Sequence, residues 1–166
     1  MLHLYTNAFA GYGYFRDELY YLACSNRLDL GYVDQPPLSI YFLFLSRNIF
    51  GDSLFGIRLL PAVISALTIY FTCLMTISFG GRKFAIIISS VAVIFAPVYL
   101  AMNAYYSMNS FDILFWSIAS YVIVLIVKEN KFSYWILLGF IIGIGLLNKI
   151  GFLWLGFGFF AGLVLT

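Results

Sequence analysis

Charge is what this sequence has least of. Only 10% of its 166 residues are Asp, Glu, Lys or Arg, against roughly 25% in a typical soluble domain. That is too little to clothe a globule in water, which excludes an ordinary cytosolic enzyme and a disordered tail. The formal net charge of +2 excludes a polyanion or nucleic-acid binder. Cysteine is scarce as well. Cys24 and Cys73 cannot build a disulfide scaffold, they are not spaced as zinc ligands, and the single histidine, His3, carries no assignment. What remains is apolar: 63% of the chain, with 20% aromatic residues and a mean hydropathy of +0.99. The composition is that of an all-α polytopic membrane protein.

The few charges divide the chain. None falls within Leu59–Gly81, Phe84–Phe111, Ile113–Val127, Phe132–Asn148 or Ile150–Thr166. A span needs about 20 mainly apolar residues, with a range of roughly 17–25. Five spans are therefore predicted, near 54–79, 84–104, 110–127, 132–148 and 150–166, each helical because lipid offers the backbone no hydrogen-bond partner. Pro37–Phe50 is too short to cross and reads as an interfacial helix. Pro36 and Pro37 open it, and Gly51 closes it before Asp52 and Ser53 start the next helix. Residues 17–30 form a second candidate surface helix.

Two domains of description follow: a loop with interfacial helices over 1–53, and five membrane helices over 54–166 forming one incomplete bundle. The turns carrying Arg82 and Lys83, and Lys128 and Lys131, fall on one side, which the positive-inside rule makes cytoplasmic. Six of the seven acids, all but Glu129, then lie at the opposite side or its helix ends. The ends read as incomplete. Residues 1–15 are too short and too glycine-interrupted for a span and lack a signal-peptide start, and the last helix stops at Thr166 without a flanking loop. A longer protein is expected, with one helix before Met1 and several after Thr166.

Four polar clusters could carry chemistry. In Tyr14–Tyr21, the adjacent Asp17 and Glu18 suit an interfacial helix start with acids at its positive end, or a base and its partner or a metal. In Gly31–Leu38, the Pro-Pro pair holds Asp34 in a defined place, as a functional acid or a plain cap. In Asn103–Asp112, Asp112 sits three residues after Asn109 in a capping-like arrangement, yet an intramembrane acid is a functional candidate by default. In Gly143–Gly151, Lys149 breaks the basic-residue pattern, which points to an anionic partner such as a lipid phosphate or to simple snorkelling. Gly139 and Gly143, four apart, suggest close helix packing. Arg58 is either an interfacial anchor or a phosphate contact.

The order of these motifs is more specific than any one of them. Phe-Arg-Asp17-Glu18-Leu-Tyr-Tyr, Gly-Tyr-Val-Asp34-Gln-Pro-Pro-Leu, Gly51-Asp52-Ser-Leu-Phe-Gly-Ile-Arg58-Leu-Leu-Pro61, Ser-Met-Asn109-Ser-Phe-Asp112 and Gly-Leu-Leu-Asn148-Lys149 together resemble glycosyltransferase family 39. That group includes protein O-mannosyltransferases and the lipid A aminoarabinose transferase. The likeness runs from about Tyr12 to Gly151 and covers roughly the first third of such an enzyme, after its first membrane helix. It implies a GT-C-like helix bundle with interfacial helices in the first outer loop, and a polyprenyl-phosphate-linked sugar donor used on the outer face of a bacterial cytoplasmic membrane or the lumenal face of the endoplasmic reticulum. It implies catalysis by Asp17 and Glu18, and substrate contacts at Asp34, Asp112 and Lys149. In some relatives the acid matching Asp34 binds a divalent metal. Gln35 replaces the lysine that some lipid A-modifying relatives carry, so their substrate is not implied.

Elementary chemistry runs the same way. Inverting transfer by single displacement needs a base on the acceptor hydroxyl, here Asp17, with Glu18 orienting it or holding a metal. The departing phosphate needs a cation: Arg58, Lys149 or a metal ion. No phosphate-cradling loop is present, so no nucleotide cofactor is expected. The partners expected are the bilayer, the lipid-linked sugar and an acceptor glycan, lipid or protein. Two other classes stay open: a transporter or flippase-like module with Asp112 and Lys149 on its path, and an inactive membrane fragment.

Overall fold

In the computed structural model Tyr5 and residues 13–165 are described, save the side chain of Leu163. Most of the 1–15 segment, His3 included, and Thr166 lie outside the described residues. Helices occur where charge and punctuation place them: α1 (Arg16–Ser25), α2 (Leu38–Phe50), α3 (Leu54–Ser78), α4 (Lys83–Phe95), α5 (Pro97–Asn103), α6 (Met108–Glu129), α7 (Phe132–Asn148), a single 3₁₀ turn (Ile150–Phe152) and α8 (Leu153–Leu165). No strand occurs among the described residues.

Local chemistry sets the boundaries. The Pro37 carbonyl accepts from the Ile40 and Tyr41 amides at 3.0 and 3.1 Å to start α2, and Gly51, at φ +78°, ends it as only glycine does cheaply. Ser53 Oγ accepts from the Gly56 amide at 3.1 Å, capping α3. The surface helix expected over 17–30 stops at Ser25, leaving Asn26–Pro37 as a loop.

Among the described residues two helices, α3 and α6, are long and apolar enough to cross a membrane singly. The span expected over 84–104 is a bent pair instead. Ala96 is extended, as a residue before proline is driven to be, and α4 and α5 meet at 58° across Pro97. With 17 residues, α7 is about 25 Å long, near the short limit for the predicted fourth span.

The bundle is built around α3 and α6, with α4 on the flank of α3, α7 on α6, and α1 on α2 beside the first turns of α3. Tyr21, Ile40, Leu43, Ile57, Tyr106 and Phe111 join the surface helices to the long ones in one core. A second core unites α6, α7 and Phe152. Lys128 Nζ donates to the Ser78 carbonyl, so the two basic turns lie at one end of the bundle, as the alternation requires. Asn148 Nδ2 meets the Met108 carbonyl at 3.0 Å at the other end.

The glycine expectation needs correcting. A Cβ at Gly139 or Gly143 would meet nothing within 4 Å, whereas one at Gly145 would land 2.8–2.9 Å from the Phe152 ring. The close approach is the hairpin of α7 onto the 3₁₀ turn, at Gly145. Gly145→Ala should therefore lower stability by about 1–3 kcal/mol through overpacking, while Gly143→Ala should be neutral or better. Thermal unfolding of the two variants in the same detergent separates them.

Candidate functional site

The first-loop end of the bundle holds the polar residues, and its centre is Glu18. Placed in the first turn of α1, Glu18 is wholly buried and both carboxylate oxygens are filled. Arg58 grips it side-on: Nε donates to Oε1 at 2.8 Å and Nη2 to Oε2 at 2.7 Å. The Phe15 amide donates to Oε2 at 2.8 Å, the reach-back half of a capping box. The Tyr106 amide, 88 residues away in sequence, donates to Oε1 at 2.9 Å. Arg58 also donates to the Gly13 carbonyl at 2.9 Å. Burying two charges is tolerable only when each is paired and its remaining hydrogen bonds are made, and here they are. Four donors leave Glu18 no lone pair turned toward a substrate, and Arg58, buried beside it, is no exposed phosphate contact. The pair is a clasp tying α1, α3 and the loop before α6.

Asp17, next in the chain, points the other way. Its side chain is 43% exposed, with Arg16 Nε 3.6 Å from Oδ1. With Arg16, Tyr20, Tyr21, Asp34, Gln35 and Met108 it lines a cavity of about 330 Å³. Helical geometry explains the split, since successive residues are turned about 100° apart. Two residues of this wall carried no site role in the sequence reading. Tyr21 Oη accepts from the Met108 amide at 3.0 Å, and its ring packs edge-on to Tyr106 at 5.7 Å. Gln35 is buried, with Nε2 lacking any hydrogen-bond partner.

Asp112 stands apart from this cavity. It does not cap α6, whose N-cap is Ser107. Its Oδ2 lies 3.7 Å from Lys149 Nζ, which donates to Asn109 Oδ1 at 2.8 Å. A second cavity of about 450 Å³, at the elbow of α4 and α5, is lined by Asp112, Tyr99, Trp116, Ser117, Ser120 and Thr72 among others. Asp17 and Asp34 are thus brought together, and Asp112 and Lys149 form a second pair at the same end. Among the described residues no three His, Cys, Asp or Glu side chains converge as a ligand set. A hard ion such as Mg²⁺ is commonly held by one or two carboxylates plus substrate oxygens, so Asp17 and Asp34 fit a metal only in that substrate-assisted form.

A residue missed in the sequence is Arg47. From α2 its Nη1 reaches Ser25 Oγ at 2.6 Å and Asn26 Oδ1 at 2.7 Å, while Nε meets Asp52. Nothing in its local sequence distinguishes it from a snorkelling interfacial arginine.

A family model for dolichyl-phosphate-mannose-protein mannosyltransferases matches residues 34–166. The chain belongs to that family. No curated protein and no solved structure matches it. The mannosyltransferase match begins at Asp34, so α1 with Asp17 and Glu18 precedes it. The geometry joins the two parts, because Glu18 is held by Arg58 and Tyr106 from within the matched region. This mannosyltransferase-family chain is a multi-pass membrane protein of the glycosyltransferase type.

Burial pushes the Tyr21 phenol up to about 12 and that of Tyr106 well above its ordinary value. For Tyr21 the sign is fixed. Its folded-state value exceeds the unfolded one, near 10, so this stabilisation is complete below pH ~10 and lost as pH rises toward 12. Stability should fall by up to about 1.4 kcal/mol per pH unit in that window. Tyr21→Phe should flatten that slope in a denaturant titration followed across the same range.

Proposed function

We propose that this chain acts in sugar transfer from a polyprenyl-phosphate donor to an acceptor hydroxyl, on the extracytoplasmic face of its membrane, with Asp17 as base. The observation that carries this reading is the contrast between neighbours: Asp17 opens onto a cavity it shares with Asp34, while Glu18 is saturated by four donors. Glu18 and Arg58 then act as positioning residues, fixing the first turn of α1 so that Asp17 faces the cavity.

In the proposed step Asp17 accepts the proton of the acceptor hydroxyl as its oxygen bonds to the anomeric carbon. The bond from that carbon to the phosphate oxygen breaks, and the phosphate leaves with the electron pair. Attack opposite the leaving group inverts the centre. Asp34 orients hydroxyls, and Asp17 with Asp34 would hold a divalent ion whose chemistry, when bound, is charge neutralisation on the phosphate. Asp112 and Lys149 make a neutral pair suited to a further polar contact. The apolar helix faces let the lipid tail stay in the bilayer, and the acceptor is a hydroxyl of a glycan, lipid or protein.

The test is transfer of labelled mannose from a polyprenyl-phosphate donor in membranes carrying the full-length protein, with and without Asp17→Asn. Product that depends on Asp17 supports the reading. Donor crossing the bilayer without glycosidic product would assign the chain to the translocator class instead.

A further inference from the structure

The end of the bundle away from Asp17 carries five charges: Arg82, Lys83, Lys128, Glu129 and Lys131. Their partners divide them. Lys131, which precedes α7, pairs with Glu129 at 2.6 Å, and Tyr134 Oη donates to the same carboxylate at 3.0 Å. Lys128 gives its Nζ to the Ser78 carbonyl at the end of α3, a use that cations commonly find at a helix C-terminus. Arg82 and Lys83 have neither kind of partner. Both are exposed, and among the described residues no acid lies within ion-pair distance of either. They also stand at the wrong end of a helix. Arg82 is the N-cap of α4 and Lys83 its first residue, with no acid in the first turn, where the helix dipole disfavours a cation.

The turn that presents them is fixed by its own packing. Gly80 takes φ +83°, the Gly81 amide donates to the Thr76 carbonyl at 2.9 Å, and a Cβ at Gly81 would fall 2.7–2.8 Å from Thr76. Lys128, on the Ser78 carbonyl, adds a third cation at the same helix end. Phe79 and Phe84 flank the turn, 74% and 76% exposed. Charge sign and apolar flanks together select the partner. Three cations with no acid left over attract an anion. A soluble polyanion would leave both rings unmatched, whereas a phospholipid offers its phosphate to the guanidinium and its acyl chains to the rings.

We propose that the Phe79–Lys83 turn, with Lys128 beside it, is a binding site for an anionic phospholipid of the leaflet at that end, its phosphate held by Arg82 and Lys83 and its chains lying against Phe79 and Phe84. The positive-inside rule accounts for basic residues on this side, but it acts while the chain inserts and requires no ligand of the folded protein. The site lies at the far end of the bundle from Asp17 and does not depend on sugar transfer.

The test is native mass spectrometry of the detergent-purified protein, titrated with phosphatidylglycerol or with phosphatidylcholine of the same acyl chains. Phosphatidylglycerol should bind more tightly, by roughly fivefold for each cation engaged. Arg82→Gln combined with Lys83→Gln should remove roughly twentyfold to thirtyfold of that preference, while Lys131→Gln, whose cation is already paired, should remove little. Salt gives a second reading that needs no variant: raising it should weaken phosphatidylglycerol binding by the wild-type protein and leave phosphatidylcholine unaffected. Equal binding of the two lipids, a preference that survives the double variant or high salt, or an equal loss in Lys131→Gln overturns the proposal. So does displacement of the lipid by inorganic phosphate at like concentration, since a free anion would then be the occupant. Cations that serve only to orient the chain would show no headgroup preference once the protein is purified.

Discussion

Glu18→Ala or Arg58→Ala alone should cost about 3–5 kcal/mol, because each leaves the other charge buried and unpaired. Native domains are stable by only about 5–15 kcal/mol, so either variant should be largely unfolded or cleaved around the first loop at growth temperature. Glu18→Leu with Arg58→Met removes both charges and should recover part of the loss. Recovery will be incomplete, since the Phe15 and Tyr106 amides that Glu18 satisfied stay buried without an acceptor. A double-mutant cycle on thermal unfolding in detergent reads this coupling. Additive single effects would show that the clasp does not hold the loop, and the positioning role given to Arg58 would go with it.

Asp17→Asn should behave oppositely. The side chain is nearly half exposed and its ion contact is a single arginine at 3.6 Å, a surface pair worth at most about 1 kcal/mol. Unfolding should therefore be little changed. Transfer should fall by roughly 10²–10⁴-fold, the usual contribution of a positioned general base, with the acceptor KM less affected than kcat. Asp34→Asn, lining the same cavity without taking the proton, should lose less. The pair of experiments turns on adjacent residues: one position sensitive in stability, the other in turnover. Loss of folding in Asp17→Asn, or full turnover with it, would remove Asp17 as the base.

Reading the chain as a membrane bundle required no tertiary information. Long charge-free runs, Pro36 and Pro37, Gly51 and Ser53 act through neighbours a few residues away, so α2, α3 and α6 begin and end close to where the sequence puts them. The break at Pro97 is equally local, but hydropathy averages over it. The candidate site was legible as a set of residue types and an order, of which the motifs from Asp34 onward fall within residues 34–166 that the mannosyltransferase family covers. The same motifs gave no hint of which acid is free.

The sequence by itself thus determined that this chain lives in lipid, where its long helices run, and that its acids other than Glu129 gather at one end. Those outcomes follow from composition and from forces between near neighbours. Only the tertiary structure decided which of Asp17 and Glu18 is buried and saturated with donors, whether Arg58 faces solvent, and whether Gly143 or Gly145 is the tight contact. Each of those depends on what lies opposite across the fold: Tyr106 and Arg58 against Glu18, Phe152 against Gly145. A side chain's charge is written in the sequence, but what balances it is set by partners 40 to 88 residues away.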